Sequence, residues 1–274
     1  MNELLPSSAI APPGVLVGDA SAEMRAMMAS AVKAVFPSAR IFEAKSGPEA
    51  LGMLRSGAIS IVIMDIAMSS MPGSDVILEA RKEGVRPFLI LTSATVLPNW
   101  SMLATDLHAY EFVKKPFSGQ DISNLLSNYV RMQTPTRLLI ADAGDQTRAM
   151  VRKVVNASRF KMDVQETDNG GHALKLTRIE TFDIALVDAN LNGISGLETA
   201  CQMQGLYPDL MVVSILPSND GGLGQSLKHL GLVHFLRKPF FTRDVDAMMH
   251  SVHKLRRPYL MNAVIKAVQT ALAS

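Results

Sequence analysis

The chain has 274 residues, 48% of them hydrophobic and 19% charged, with a formal net charge of +2. That balance argues against a chain-wide polyanion surface, and the length suits two domains of about 100–150 residues with ordinary cores. The single cysteine, Cys201, cannot form an internal bridge and is compatible with a reducing compartment.

The first residues carry no basic n-region and are soon interrupted by Pro6, so they do not read as a signal peptide. No apolar run approaches the roughly 18 residues needed to span a bilayer. The expectation is a soluble, cytoplasmic protein without a membrane partner. Residues 1–13 read as a flexible tail. Residues 15–17 read as a buried strand, 23–36 as a helix ended by Pro37, 39–44 as a strand and 47–54 as a helix. A third strand over 59–64 ends at Asp65; a fourth covers 88–91, a fifth 111–114, and a helix lies near 119–130. After a short joint at 132–136, strands follow at 138–141, 162–166, 184–187, 210–213 and 234–236, with a last helix near 244–255. Beyond Pro258, Leu260, Val264, Val268 and Leu272 recur every fourth residue, which marks an amphipathic helix. It packs on its own domain or forms an oligomer or partner contact. The basic residues Lys254, Arg256 and Arg257 read as complements of a helix dipole and argue only weakly for nucleic acid.

The chain repeats itself at a constant spacing of 123 residues: Asp19 recurs as Asp142, Arg25 as Arg148, Gly47 as Gly170, Asp65 as Asp188, Gly73 as Gly196 and Phe112 as Phe235. Lys115-Pro116-Phe117 recurs as Lys238-Pro239-Phe240. Such a period exceeds that of solenoid units and indicates duplication of a whole domain. Alternating strands and helices, with continuous apolar strands, point to parallel sheets covered on both faces.

In such a sheet, functional groups collect beyond the carboxyl ends of the strands. Asp19, Asp65, Thr92 and Lys115 follow predicted strands one, three, four and five; Asp142, Asp188, Ser214 and Lys238 do so in the second copy. Two carboxylates, a hydroxyl and an ammonium suit phosphoryl transfer to a carboxylate, with Mg²⁺ held by oxygen ligands and lysine pairing a phosphoryl oxygen. Each residue also has a plainer reading: an Asp after a strand caps the next helix, and a Lys-Pro forms a solvated turn. Recurrence of all four kinds in order, the two acids and the lysine at one spacing, favours the chemical reading.

Both copies resemble receiver domains of two-component response regulators, over residues 14–131 and 137–256. The carriers are Val15-Leu16-Val17-Gly18-Asp19, Ile63-Met64-Asp65 with Pro72-Gly73, Leu91-Thr92-Ser93-Ala94 and Val113-Lys114-Lys115-Pro116-Phe117. In the second copy they are Leu139-Ile140-Ala141-Asp142, Leu186-Val187-Asp188 with Gly196, Val213-Ser214 and Leu236-Arg237-Lys238-Pro239-Phe240. The resemblance implies an α/β fold: two tandem doubly wound five-stranded sheets of order 2-1-3-4-5, flavodoxin-like, with a linker at 132–136 and an extra helix over 257–274. It implies that Asp65 and Asp188 accept phosphoryl groups from a histidine kinase or phosphotransfer protein. Asp19 and Asp142, with Asp65 and Asp188, would belong to Mg²⁺ sites. Thr92 and Ser214 would be switch hydroxyls, with Ser93 competing for the role of Thr92. Lys115 and Lys238 would pair the phosphoryl group, ahead of cis bonds to Pro116 and Pro239. Phe112 and Phe235 would be the aromatic switch residues.

One departure stands out. The family's second acid after the first strand is Ala20 in one copy and Ala143 in the other. A methyl group cannot ligate Mg²⁺, so binding is expected to be weak. Glu23 and Asp145 are candidate substitutes, although first-turn acids ordinarily serve the helix dipole. Asn190 against Ala67 makes the second copy the marginally better expected phosphoacceptor. No output domain is apparent after the second copy, so signalling is expected to run through protein surfaces, not enzymatic chemistry. The alternatives are a phosphorylation-independent adaptor built from pseudo-receivers and, with less support, a nucleotide- or small-molecule-binding protein on the same architecture.

Overall fold

The computed structural model describes residues 11–95, 102–103 and 106–258. The chain divides into two compact units, one formed by Met1–Arg131 with Arg256–Ser274 and the other by Met132–Leu255. In the first unit the elements are β1 (Gly14–Gly18), α1 (Ala22–Val35), β2 (Arg40–Ala44), α2 (Gly47–Leu54), β3 (Ile61–Asp65), α3 (Gly73–Lys82), β4 (Phe88–Ser93), β5 (Glu111–Lys114) and α4 (Gly119–Gln133). The second contains β6 (Thr136–Ala141), α5 (Asp145–Asn156), β7 (Met162–Thr167), α6 (Gly170–Ile179), β8 (Ile184–Asp188), α7 (Gly196–Leu206), β9 (Met211–Leu216), α8 (Leu223–His229), β10 (His234–Arg237) and α9 (Thr242–Val252).

Each unit is built on a parallel five-stranded sheet, ordered β2-β1-β3-β4-β5 in the first and β7-β6-β8-β9-β10 in the second. Central strands are apolar throughout because helices cover both faces: every residue of β1, β3 and β8 is buried. The edge strand β2 instead exposes Arg40 and Glu43, charges that discourage pairing with another edge. Leu16, Val62, Met64, Leu89 and Leu91 pack with α2 and α3 side chains on one face of the first sheet. Leu139, Ala185, Val187, Val212 and Leu216 do the equivalent in the second.

Several boundaries differ from the sequence reading. The joint expected at 132–136 is largely absorbed, since α4 runs through Gln133 and β6 begins at the fully buried Thr136. Strands β4 and β9 continue two and three residues past the expected ends at 91 and 213, reaching Ser93 and Leu216. A hydroxyl residue within each apolar run had suggested a terminus, yet the backbone remains hydrogen-bonded to its neighbours. The amphipathic helix expected after Pro258 lies outside the described residues, as do residues 1–10 of the expected tail.

Candidate functional site

The repeated acids, lysines and glycines meet at the carboxyl ends of the strands. Asp19 and Asp142 follow β1 and β6, but they do not cap the next helices: α1 is capped by Ser21, whose Oγ accepts from Met24 N at 3.2 Å, and α5 has Gly144 at its N-cap. In each unit both carboxylates are held alike. Asp19 Oδ1 accepts from Ser21 N and Asp65 Oδ1 from Ala67 N, each at 2.9 Å. Asp142 Oδ1 accepts from Gly144 N and Asp188 Oδ1 from Asn190 N, also at 2.9 Å. That leaves Oδ2 of each acid for the lysine.

Lys115 Nζ lies 2.6 Å from Asp19 Oδ2 and also pairs with Asp65 Oδ2. Lys238 Nζ lies 3.2 Å from Asp142 Oδ2 and pairs with Asp188 Oδ2. All four carboxylates are buried. The lysines follow β5 and β10 and precede cis bonds to Pro116 and Pro239, as the resemblance implied. Burial lowers the affinity of each ammonium for its proton, but hydrogen bonds and charge from the two partner acids more than offset this and hold both lysines above the ordinary value. Asp142 moves the other way. Burial raises it, while the Gly144 N–H, Lys238 and Thr147 together leave it below the usual carboxylate value.

Two glycines let a helix start against the central acid. A Cβ on Gly73 would lie 2.3 Å from Asp65 O, and one on Gly196 1.7 Å from Asp188 O, closer than side chains allow. Behind the first acid, Arg25 Nη1 donates to Asp19 O at 2.8 Å and Arg148 Nη1 to Asp142 O at 2.6 Å. Glu43 holds Arg25 at 3.2 Å, while Glu166 lies 3.9 Å from Arg148 and 3.0 Å from Arg152. Neither glutamate was a sequence candidate, although they too are separated by the constant 123 residues.

The hydroxyls do not match between units. Thr92 stands opposite Asp65 on the neighbouring strand, and its Oγ1 is buried with no hydrogen-bond partner. Ser93, its competitor, is engaged locally, accepting from Thr95 N and donating to Thr95 O at 3.2 Å. In the second unit Asp188 stands opposite Ile215, and Ser214 stands opposite Val187. Ser214 is therefore not the counterpart of Thr92. Adjacent strand residues point to opposite faces, so its hydroxyl shares a face with its register partners Val187 and Phe235. The spacing of 123 would have paired Thr92 with Ile215; Ser214 lies at 122. On that same face Phe112 is buried beside its register partner Leu91, whereas Phe235, next to Ser214, is only partly buried.

Each site supplies two carboxylates, with their oxygens already engaged by backbone N–H groups and lysine. Among the described residues, no three His, Cys, Asp or Glu side chains come together as a metal-binding group. Glu23 is exposed, and Asp145 is exposed and paired with Arg148. Ala20 and Ala143, beside Asp19 and Asp142, add no oxygen side chain to these two carboxylates, so a Mg²⁺ ion held here would complete its octahedral shell with waters.

A doubly wound parallel sheet carrying two acids and a lysine at its carboxyl edge places each unit among the flavodoxin-like α/β folds. The chain belongs to the response regulator receiver domain family, which it matches at residues 15–127 and again at 138–250. Receiver domains in general bind Mg²⁺ for phosphorylation. Among curated relatives, the response regulator UvrY of Escherichia coli K12 is 23% identical over 120 residues, covering 44% of this chain and 55% of UvrY. The response regulator SaeR of Staphylococcus aureus is 37% identical over 87 residues, covering 30% of this chain and 37% of SaeR. A cyclic di-GMP phosphodiesterase of Thermotoga maritima is 30% identical over 102 residues, covering 37% of this chain and 27% of that protein. The chain thus spans about half or less of the length of these relatives. A solved two-component response regulator/GGDEF domain protein shares the fold with a TM-score of 0.58 at 17% identity, over 88% of this chain and 98% of its own. Among the described residues no helix is long and apolar enough to cross a membrane.

Proposed function

We propose that the chain is a tandem-receiver response regulator that accepts a phosphoryl group on aspartate and signals by protein–protein interaction. The two receivers are taken as residues 14–131 and 137–256, and the acceptors as Asp65 and Asp188. The donor is a phosphohistidine on a histidine kinase or phosphotransfer protein. The carboxylate oxygen attacks phosphorus in line as the P–N bond breaks and the imidazole leaves as a neutral ring after taking a proton. Lysine then transfers one of its contacts from carboxylate to a phosphoryl oxygen. The carrying observation is the ammonium of Lys115 held between Asp19 and Asp65, repeated by Lys238 between Asp142 and Asp188. A structural salt bridge alone would not require two acids per lysine beside a buried, unpartnered hydroxyl such as Thr92.

The test is intact-mass measurement of the full chain after acetyl phosphate treatment, with Mg²⁺ titrated into the tens of millimolar because the third acid is absent. Wild type, Asp65→Ala, Asp188→Ala and the double substitution are compared. An acid-labile phosphate adduct lost with a single acceptor substitution supports the reading. Absence of any adduct, including from a purified cognate kinase, replaces it with a phosphorylation-independent adaptor.

A further inference from the structure

The two receivers carry the same acids and the same lysine, yet their fourth strands differ at the one position that faces the acceptor. Three independent backbone relations set this correspondence. Asp65 lies opposite Thr92 and Asp188 opposite Ile215. The amide after each acceptor donates to that same residue, Ile66 N to Thr92 O at 2.9 Å and Ala189 N to Ile215 O at 3.1 Å. Each lysine amide donates to the following residue, Lys115 N to Ser93 O and Lys238 N to Leu216 O, both at 2.8 Å.

Residues opposite one another on neighbouring parallel strands point to the same face of the sheet. Thr92 therefore shares a face with Asp65. Its hydroxyl is fully buried and makes no hydrogen bond, a costly state that a phosphoryl oxygen on Asp65 relieves. Ile215 is equally buried and has no group to donate. Ser214, the nearest hydroxyl on β9, is also buried without a hydrogen-bond partner, but it belongs to the opposite face with Val187 and Phe235. A modification shifts an equilibrium only through an interaction that differs between the two states. The first unit can form such an interaction along β4; along β9 the second cannot.

We infer that the tandem is asymmetric: modification of Asp65 drives a conformational change through β4 and β5, whereas β9 and β10 keep one conformation whatever the state of Asp188. This rests on the phosphoacceptor reading above and assigns the regulated step to the first receiver. The sequence expectation that the second copy, with Asn190, is the marginally better phosphoacceptor concerns the modification itself, not the response to it.

The experiment uses the full chain as Asp188→Asn, which isolates the first site, and Asp65→Asn, which isolates the second. Each is treated with acetyl phosphate, checked for adduct by intact mass, and followed by hydrogen–deuterium exchange on peptides spanning β4–β5 and β9–β10. The Asp65 adduct is expected to change exchange in β4–β5 by about threefold or more, and the Asp188 adduct to leave β9–β10 unchanged. Thr92→Val should abolish the first response while the adduct still forms, and Ile215→Thr should create the second. An adduct confined to Asp65 with a response in β4–β5 also supports the inference. Equal responses in both units, an unchanged β4–β5 on a modified Asp65, or an adduct on Asp188 alone overturns it. Absence of adduct at both sites defeats the phosphoacceptor reading itself, an outcome that the mass measurement reports separately.

Discussion

Replacing Lys115 by Met tests the geometry of the first site most directly. The ammonium is the counter-ion for two buried carboxylates, Asp19 at 2.6 Å and Asp65, and its own side chain is 19% exposed. Removing one partner of a buried ion pair costs about 3–5 kcal/mol, because the other charge is left uncompensated. Partial access to water reduces this to about 2–3 kcal/mol. The equivalent substitution at Lys238 should cost less, about 1–2 kcal/mol, since that side chain is 34% exposed and its contact with Asp142 is longer, at 3.2 Å. Native-state hydrogen exchange in low urea, read on peptides covering β1 and β3 or β6 and β8, resolves the two units separately. In a double-mutant cycle, Asp65→Asn should relieve part of the cost of Lys115→Met by removing one stranded charge. A coupling below about 0.5 kcal/mol between Lys115 and Asp65 would refute the bridging role.

Other consequences follow from the same contacts. Gly73→Ala places a methyl 2.3 Å from Asp65 O and should lower stability by about 1–3 kcal/mol, measured as a fall in Tm; an unchanged Tm would show that α3 shifts freely. Both lysines are raised in the fold from 10.5, so their stabilisation is complete below that pH and is lost as pH rises through the folded values above it. Thermal melts of Lys115→Met/Lys238→Met should show less alkaline loss than wild type. Asp142 is lowered from 3.8, so its contribution is present above that pH and disappears as pH falls through the folded value; Asp142→Asn should blunt that acid-induced loss. Ala20→Asp restores a third carboxylate beside Asp19 and Asp65 and should tighten Mg²⁺ binding at least about tenfold by calorimetry, about 1.4 kcal/mol.

Much of this architecture was legible because duplication supplied an internal control. Asp19 and Asp142, Asp65 and Asp188, Lys115 and Lys238 share one spacing, and all six sit where that spacing placed them, at the carboxyl edges of their sheets. The hydroxyls were legible in one unit only. Ser214 interrupts Met211-Val212-Val213 and was read as a strand end, whereas β9 runs on through Ile215 and Leu216. A single small polar residue within a buried parallel strand costs too little to end it, and periodicity cannot separate such a residue from a terminus. Glu43 and Glu166 escaped notice because they lie on edge strands, where exposed charges are ordinary.

By itself the amino-acid sequence determined that there are two copies, that each alternates strand with helix, and which acids and lysines both retained. Those are properties of residue type and spacing, which hydrophobic burial along each segment dictates. Tertiary structure alone decided that one ammonium bridges two acids, that no third carboxylate among the described residues joins them, and that Asp188 faces isoleucine where Asp65 faces threonine. These are matters of register between strands more than twenty residues apart in the chain, set by interstrand hydrogen bonds and packing against both sheet faces.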